Sequence, residues 1–510
     1  MCFSMYSTGS SPPGAVRADG NRWLVLAIVS IALLLIVIDM TVLYTALPVL
    51  THDLHATGKQ KLWIVNMYPL VVAGLLPGAG TLGDRYGHRR TFLAGLAVFG
   101  IASLWAAYSP TAQSLIAARA ALAVGAALMM PATLAIIRHT FTDGAERGIA
   151  IGVWAAVASG GAALGPVLGG FLLMHFWWGS VFLINVPVVL VTIVLVLWLI
   201  APTRSNKARK WDWQGSVLAL LGLMGATYAV KAAAQPRADW PSVAAAGIAG
   251  VVLLALFMRR QRRIAHPLID FTLLHDRFFT VGVVAAVMCS VAFIGFQLVF
   301  TQWLQLVRQL TPLQAGLQVV PLALASFVAG PVAGRWMERA GTRNVILAGI
   351  AMSIVGLLAI MATYQGMGWP LLAALALFGG GYGAAVTGAS SAIMFNAPAE
   401  KAGMAASIEE VSYELGGSFG VALMGSLMTA AYASTLQLPD YLQSYPQARE
   451  SIDEAYLVAE SLPLTLAQEL AGLASTAFSH AFAVVTAAAI AVLVLTLLGL
   501  LLWRPRTKSA

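Results

Sequence analysis

The chain has 510 residues, 59% hydrophobic and only 10% charged, with a formal net charge of +9. Soluble domains carry about 25% charged residues, so this chain lacks the polar skin that several soluble domains would need, and its mean hydropathy of +0.81 agrees. Soluble globular, disordered and collagen-like chains are excluded, and Cys2 and Cys289 alone build no disulfide framework.

Apolar runs of about 20 residues cross a bilayer as helices. In chain order they fall at 23–50, 61–82, 92–109, 111–137, 148–174, 178–201, 214–231, 241–258, 278–307, 313–334, 344–364, 368–396, 402–432 and 476–503. These fourteen runs are Leu/Val/Ala/Ile with Gly and Pro inside, as membrane helices allow. Period-two alternation is absent, which argues against a β-barrel. The first run is too long for a cleaved signal peptide and reads as a retained helix. A twelve-span count would drop two runs as a pair, which the charge pattern does not forbid.

The basic residues predict orientation. With the N-terminus cytoplasmic, the inside segments hold Arg17 and Arg22, Arg85, Arg89 and Arg90, Arg138 and Arg147, and Arg204 to Lys210. They also hold Arg259 to Arg263, Arg277, Arg335, Arg339 and Arg343, Lys401, and Arg504 to Lys508. Outside segments hold only Lys59, Lys61, Lys231, Arg237, Arg308 and Arg449, and Arg119 lies within the fourth run. This inside-positive bias predicts a multi-pass protein with both termini cytoplasmic. It also accounts for the basic balance without nucleic acid. The outside segment 433–475 is instead acidic and long. One or two short amphipathic helices fit 449–473, as a passive insertion first and as a lid over a path second.

Gly80-Thr-Leu-Gly-Asp84-Arg85-Tyr-Gly87-His-Arg89 follows the second run, and Gly334-Arg-Trp-Met-Glu338-Arg339-Ala-Gly341-Thr-Arg343 follows the tenth. Gly, acid, Arg, Gly and Arg recur at identical spacing, which a duplicated six-helix half predicts. The expected organisation is a tail at 1–22, a six-helix bundle at 23–201, an inserted helix pair with linkers at 202–277, a second bundle at 278–503 and a tail at 504–510. In each loop Gly permits a tight turn, and the acid sits at a helix N-terminus or pairs with Arg.

Of 21 acidic residues, only Asp39, Glu409, Glu410 and Glu414 lie well inside apolar runs. A carboxylate at membrane depth costs several kcal/mol and marks a functional site by default. A proton and an organic cation compete for such a group, and that competition is antiport. Asp39 lies about 24 Å along its helix, toward the outside; the plainer reading is a hydrogen bond to a neighbouring helix. Glu410 and Glu414 share a face four residues apart, with Glu409 and Tyr413 on the adjacent stripe; Glu409 is equally placed to reach headgroup water. Aromatic faces attract quaternary ammonium groups, so Tyr44, Trp63, Tyr68, Trp154, Phe296, Tyr382 and Tyr413 are the set from which two or three path-lining rings are expected. Arg119 needs a carboxylate or backbone carbonyls to be tolerated, and a structural clamp between helices is its alternative role. His88, His139, His175 and His480 stand near span ends and are expected to be solvated. No His/Cys cluster has metal-ligand spacing, and Gly379 to Gly383 lacks the lysine and setting of a phosphate cradle.

These residues resemble the major facilitator superfamily, and within it the fourteen-helix drug/proton antiporters. Gly80 to Arg90 looks like the family's signature loop, with its acid at Asp84. Gly161-Ala-Ala-Leu-Gly165-Pro166-Val-Leu-Gly169-Gly170 matches the antiporter motif of helix five, where the glycines and a kinking proline favour close helix packing. Ile38 to Pro48 is similar to the first-helix motif, departing at Tyr44 and Thr45. The fourth-helix motif keeps Arg119 and Gly125 but has Leu122 and Ala123 where Gln and Gly are common. Ile408 to Gly416 looks like exporters of methyl viologen and quaternary ammonium compounds. The acid that some relatives carry in helix ten is missing from 313–334. The resemblance implies an all-α fold of two pseudo-symmetric six-helix bundles plus an inserted pair, working as a monomer in the cell inner membrane among its lipids. It implies proton-driven export of small lipophilic cations, no cofactor, no nucleic-acid partner, and a part for Arg119 in proton coupling. An exporter of an amino acid or endogenous metabolite is the first alternative; a membrane-integral enzyme or non-transporting protein is the second, without a clustered catalytic set.

Overall fold

A computed structural model describes residues 22–56, 58–201, 211–233, 239–265, 267–366 and 368–502. The tails, the linker at 202–210 and Arg237 lie outside them, and with them the expected basic residues Arg17, Arg204 to Lys210 and Arg504 to Lys508. The described residues are helical and contain no strand. The first half comprises α1 (Arg22–Asp53), α2 (Gly58–Tyr86), α3 (His88–Ala107), α4 (Ala112–Thr140), α5 (Gly144–His175), α6 (Ser180–Leu183) and α7 (Asn185–Leu199). Next come α8 (Trp213–Ala233) and α9 (Trp240–Gln261). The second half holds α10 (Arg277–Gln302), α11 (Pro312–Ala340), α12 (Thr342–Thr363), α13 (Trp369–Asn396), α14 (Ala402–Thr435), α15 (Ile452–Glu460) and α16 (Leu464–Leu502).

Every apolar run falls on helix. Among the described residues 13 helices are long and apolar enough to cross a membrane. The sixth run is broken at Ile184 into α6 and α7, and the ninth ends in a π-helical turn, Trp303–Val307. Local chemistry sets the starts. Asp276 accepts from the backbone of Phe278 and Phe279 at the head of α10, and Thr311 and Gln314 form a reciprocal capping box ahead of Pro312 on α11.

The two repeated loops have the same backbone. Gly87 joins α2 to α3 with φ 95°, and Gly341 joins α11 to α12 with φ 79°. They are the two positive-φ glycines among the described residues, and a side chain at either would be strained. One hydrophobic cluster fills α1–α7, and a second fills α10–α16. The first cluster continues across the seam into Ile393, Met394, Met404 and Ile408, so the halves are joined at the end that carries the two repeated loops.

At that end the halves meet backbone to backbone. A methyl group on Gly152 of α5 would lie 2.3 Å from the Gly330 carbonyl of α11, and one on Gly80 of α2 would lie 2.2 Å from the Gly403 carbonyl of α14. Asp84 reinforces the second crossing by accepting from the amides of Gly403 at 2.9 Å and Met404 at 3.3 Å. A carboxylate there suits the positive N-terminal end of α14. The expected solvation of His88 is wrong: it is 4% exposed, 3.4 Å from Asp84 and stacked on His139 at 5.5 Å, because its ring fills the space under Gly83 and Gly403.

The pair α8–α9 packs through α8 against α2, with a secondary contact to α14. Asp212 ties its base together, bonding Arg260 at 2.8–3.0 Å and Gln261 at 3.0 Å. Beyond it, Asp270 bonds Lys401 at 2.6 Å, just before α14, and its carboxyl is held down at about 2; burial works against this, but the Lys401 ammonium and the Thr272 hydrogen bonds win.

The last helix starts at Leu464, well before the expected 476, because Leu470 and Ala474 belong to the second core and no break intervenes. Segment 433–475 therefore contains one separate α-helix, α15, within the expected one or two, besides the short 3-10 turns Asp440–Leu442 and Pro446–Arg449. It folds onto the second half: Leu442, Ala448, Ile452 and Ala455 are buried in that core, and Tyr456 donates to the Leu306 carbonyl at 2.7 Å.

Candidate functional site

Two polar clusters lie inside this apolar frame. The first belongs to α1–α7. Asp39 is fully buried, and its Oδ2 accepts from Arg119 Nη1 at 2.8 Å. Its Oδ1 accepts from Asn185 Nδ2 at 3.0 Å, and the same amide also donates to Ser103 Oγ at 3.2 Å. Arg119 Nε donates to the Ile64 carbonyl at 3.3 Å, and the guanidinium sits 4.7 Å from the centre of the Tyr68 ring. Arg119 thus has a carboxylate, a carbonyl and an aromatic face. A buried pair of this kind is tolerated because further hydrogen bonds satisfy both ions.

The second cluster lies on α14. Glu409 and Glu410 are 0% and 3% exposed. Ser390 of α13 donates to Glu409 and is bonded in turn to the Tyr413 hydroxyl at 3.0 Å. Glu409 Oε2 and Glu410 Oε1 have no hydrogen-bond partner among the described residues, and neither acid has an ion pair there. Glu414 is half-buried one helical turn beyond Glu410 on the same face of α14. The first cluster pairs its acid with a cation, whereas Glu409 and Glu410 have none beside them among the described residues.

The aromatic residues divide. Tyr68 belongs to the first cluster. Tyr382 and Tyr413 pack against both hydrophobic cores, Tyr382 stacking on Phe293 at 3.7 Å. Phe296 is fully buried among Phe300, Phe378 and Phe482 inside the second half. Trp154 donates to Thr133 at 3.0 Å inside the first half, and Trp63 is 39% exposed, stacked on Tyr228 of α8. The side chains of Tyr44 and Pro166 lie outside the described set.

The glycines of the helix-five motif bring α5 against α1 beside Asp39. A methyl group on Gly165 would lie 1.9 Å from the Thr41 hydroxyl; Gly161 faces Leu34 and Val37, Gly169 faces Val42, and Gly170 faces nothing within 4 Å. In the first repeated loop Arg85 lies over the Tyr86 ring at 5.0 Å, and Arg89 donates to the Leu197 carbonyl at 2.9 Å. Asn185, Ser103 and Ser390 were not singled out from the sequence. An Asn inside the run 178–201 is a usable signal, whereas Ser in such a run is too common to be one.

A model of the Major Facilitator Superfamily matches residues 29–421. The chain belongs to that superfamily. It is 39% identical over 483 residues to the methyl viologen resistance protein SmvA of Salmonella typhimurium, covering 94% of this chain and 98% of that one. The multidrug efflux pump LfrA of Mycolicibacterium smegmatis is 38% identical over 490 residues, covering 94% and 97%. Among solved structures, the proton:xylose symporter XylE matches with TM-score 0.58 at 14% identity, covering 96% of this chain and 97% of that chain, and the human organic anion transporter MFSD10 with TM-score 0.59 at 14% identity, covering 91% and 100%. These two establish the fold. As a member of the superfamily the chain is a multi-pass membrane transporter and not an enzyme.

Proposed function

We propose that the protein exports small lipophilic mono- and divalent cations, methyl viologen and quaternary ammonium compounds among them, in exchange for protons. A transporter this similar along its length to drug-efflux pumps is itself a drug-efflux transporter, and the inner membrane with cytoplasmic termini is the setting that its basic segments fit. The observation that carries the substrate class is the pair of buried carboxylates on α14, Glu409 and Glu410, each with an oxygen that has no hydrogen-bond partner among the described residues. Charged oxygens at this depth need either a proton or a cationic guest, and each excludes the other.

Asp39 plays a different part in this scheme. Its pair with Arg119 leaves no oxygen for a guest, so a proton, by neutralising Asp39, releases Arg119 and loosens the first cluster. Inward proton movement supplies about 2.3 kcal/mol per charge per 100 mV. The bundles then rock about the seams, opening the end that Gly152–Gly330 and Gly80–Gly403 close. The test is proton release from proteoliposomes on adding methyl viologen, wild type beside Asp39→Asn. Release by wild type that is absent in Asp39→Asn supports the reading. Equal release by both removes Asp39 from the mechanism, and no release by wild type with any cation removes the function.

A further inference from the structure

Glu409 is sealed from solvent. It is 0% exposed, and so is Ser390 of α13, whose hydroxyl donates to Glu409 Oε1. An acid that trades a proton for a cation has to discharge and reload that proton. Through dry protein a proton travels along groups that both donate and accept, and hydroxyls are such groups.

The described residues give Glu409 one path of this kind. Ser390 Oγ lies 3.0 Å from the Tyr413 hydroxyl. Tyr413 stands one turn from Glu409 on the same face of α14. It is only partly buried and packs against both hydrophobic cores, so it lies where the two halves face each other. The chain of contacts thus runs from a carboxyl without exposure, through a hydroxyl without exposure, to a phenol at the boundary of the halves. Glu409 Oε2 has no hydrogen-bond partner among the described residues, which leaves Oε1 as the oxygen with a way out.

We propose that Ser390 and Tyr413 are the proton relay of Glu409, connecting its buried carboxyl with the space between the halves. On discharge, protonated Glu409 donates to Ser390, Ser390 to Tyr413, and Tyr413 to a water. The carboxyl O–H bond breaks as a new Ser390 O–H bond forms. The former Ser390 proton passes to the Tyr413 oxygen, and the former Tyr413 proton leaves as hydronium. What remains is a carboxylate that accepts from Ser390, which accepts from Tyr413. Ser390 has one proton and directs it at Glu409, so Tyr413 donates the 3.0 Å bond, which is the arrangement after discharge. The same transfers in reverse reload the acid without either hydroxyl turning. The proposal rests on the cation/proton reading above and names the route by which one of its acids titrates.

The experiment mixes the purified full-length protein with methyl viologen in a lightly buffered solution containing a pH-indicator dye, and times the proton release. Cation affinity against pH is titrated in parallel. The proteins are wild type, Tyr413→Phe, Ser390→Ala, Glu409→Gln and the Glu409→Gln/Tyr413→Phe double variant. Tyr413→Phe keeps the ring and the Ser390–Glu409 bond, so normal folding is expected, checked by its melting temperature. It is expected to release as many protons as wild type but at a rate at least about tenfold lower, with the pH midpoint of cation binding unmoved. Ser390→Ala breaks the same chain at its other link and should slow release alike. Glu409→Gln should release fewer protons, and Tyr413→Phe should add nothing in that background, because the chain no longer has a carboxyl to serve. Release at the wild-type rate by Tyr413→Phe overturns the relay. So does slower release accompanied by a displaced pH midpoint, the mark of a hydroxyl that only tunes the acid. A wild type that releases no protons overturns the underlying reading and this inference together. A wild type that releases them, beside an unaltered Tyr413→Phe, overturns this inference alone.

Discussion

Arg119 shows how one residue organises a site. Its guanidinium binds Asp39, the Ile64 carbonyl and the Tyr68 ring, drawing α1 and α2 onto α4. Removing it strands a charge: Arg119→Leu is expected to cost about 3–5 kcal/mol, the usual result of breaking a buried pair from one side. Asp39→Asn should be milder for folding, since an amide still accepts from Arg119, but it should abolish proton-driven export. Melting temperatures and vesicle transport of the two variants separate these effects. Asn185→Leu leaves Asp39 Oδ1 without its donor; export is expected to fall several-fold and its pH optimum to rise, because the charged form of Asp39 loses support. An unchanged optimum would mean that Asn185 only packs.

The elements meet where side chains are missing. Gly165→Val would push a branched side chain into Thr41 and Val42 of α1, which are closer than any rearrangement of α5 alone relieves. It is expected to destabilise the first half by about 1–3 kcal/mol or more; a thermal shift assay reads this directly. The sequence disclosed the spans, the duplicated loops and the four buried acids, because each is a local signal: hydropathy, spacing, or charge in an apolar run. Pairings between distant helices were out of its reach. Nothing local says that Asp84 caps α14 or that His88 is buried beneath it. Aromatic rings likewise look alike in a sequence, yet Phe296 packs inside one half while Tyr382 and Tyr413 bridge the two cores. The start of α16 was misplaced for a related reason: Leu470 and Ala474 are apolar only on the face that packs, so mean hydropathy misses them.

For the molecule as a whole, the glycine crossings, the Asp84 cap and the hydrogen bonds from Ser407 to the Leu76 carbonyl and from Arg138 to the Ala397 carbonyl hold the halves at the repeated-loop end. Asp84→Asn keeps the side chain but removes the charge at the head of α14. It is expected to shift the population toward the state open at that end, measured as faster alkylation of a cysteine introduced at Ser407. Outside the bilayer, the Asp270–Lys401 bridge has a defined pH limit. Asp270 titrates lower in the folded protein than in the unfolded chain, near 2 rather than its usual value. Its contribution is therefore complete above about pH 4 and is lost as pH falls toward 2. The stability difference between wild type and Lys401→Met should vanish across that window. Segment 433–475 buries its apolar side in the second core, so Ile452→Asp is expected to lower the melting temperature more than it alters coupling per folded molecule.

The α8–α9 hairpin leans on α2, while the principal neighbour of α9 is α8. It is a passenger strapped to one bundle. A fluorophore on the lipid-facing side of α9 would work as an optical lever, magnifying the swing of the first bundle against a second dye on α12. The inserted pair thus offers a vantage point from which alternating access becomes a distance between two lamps, read without touching any residue that handles cargo.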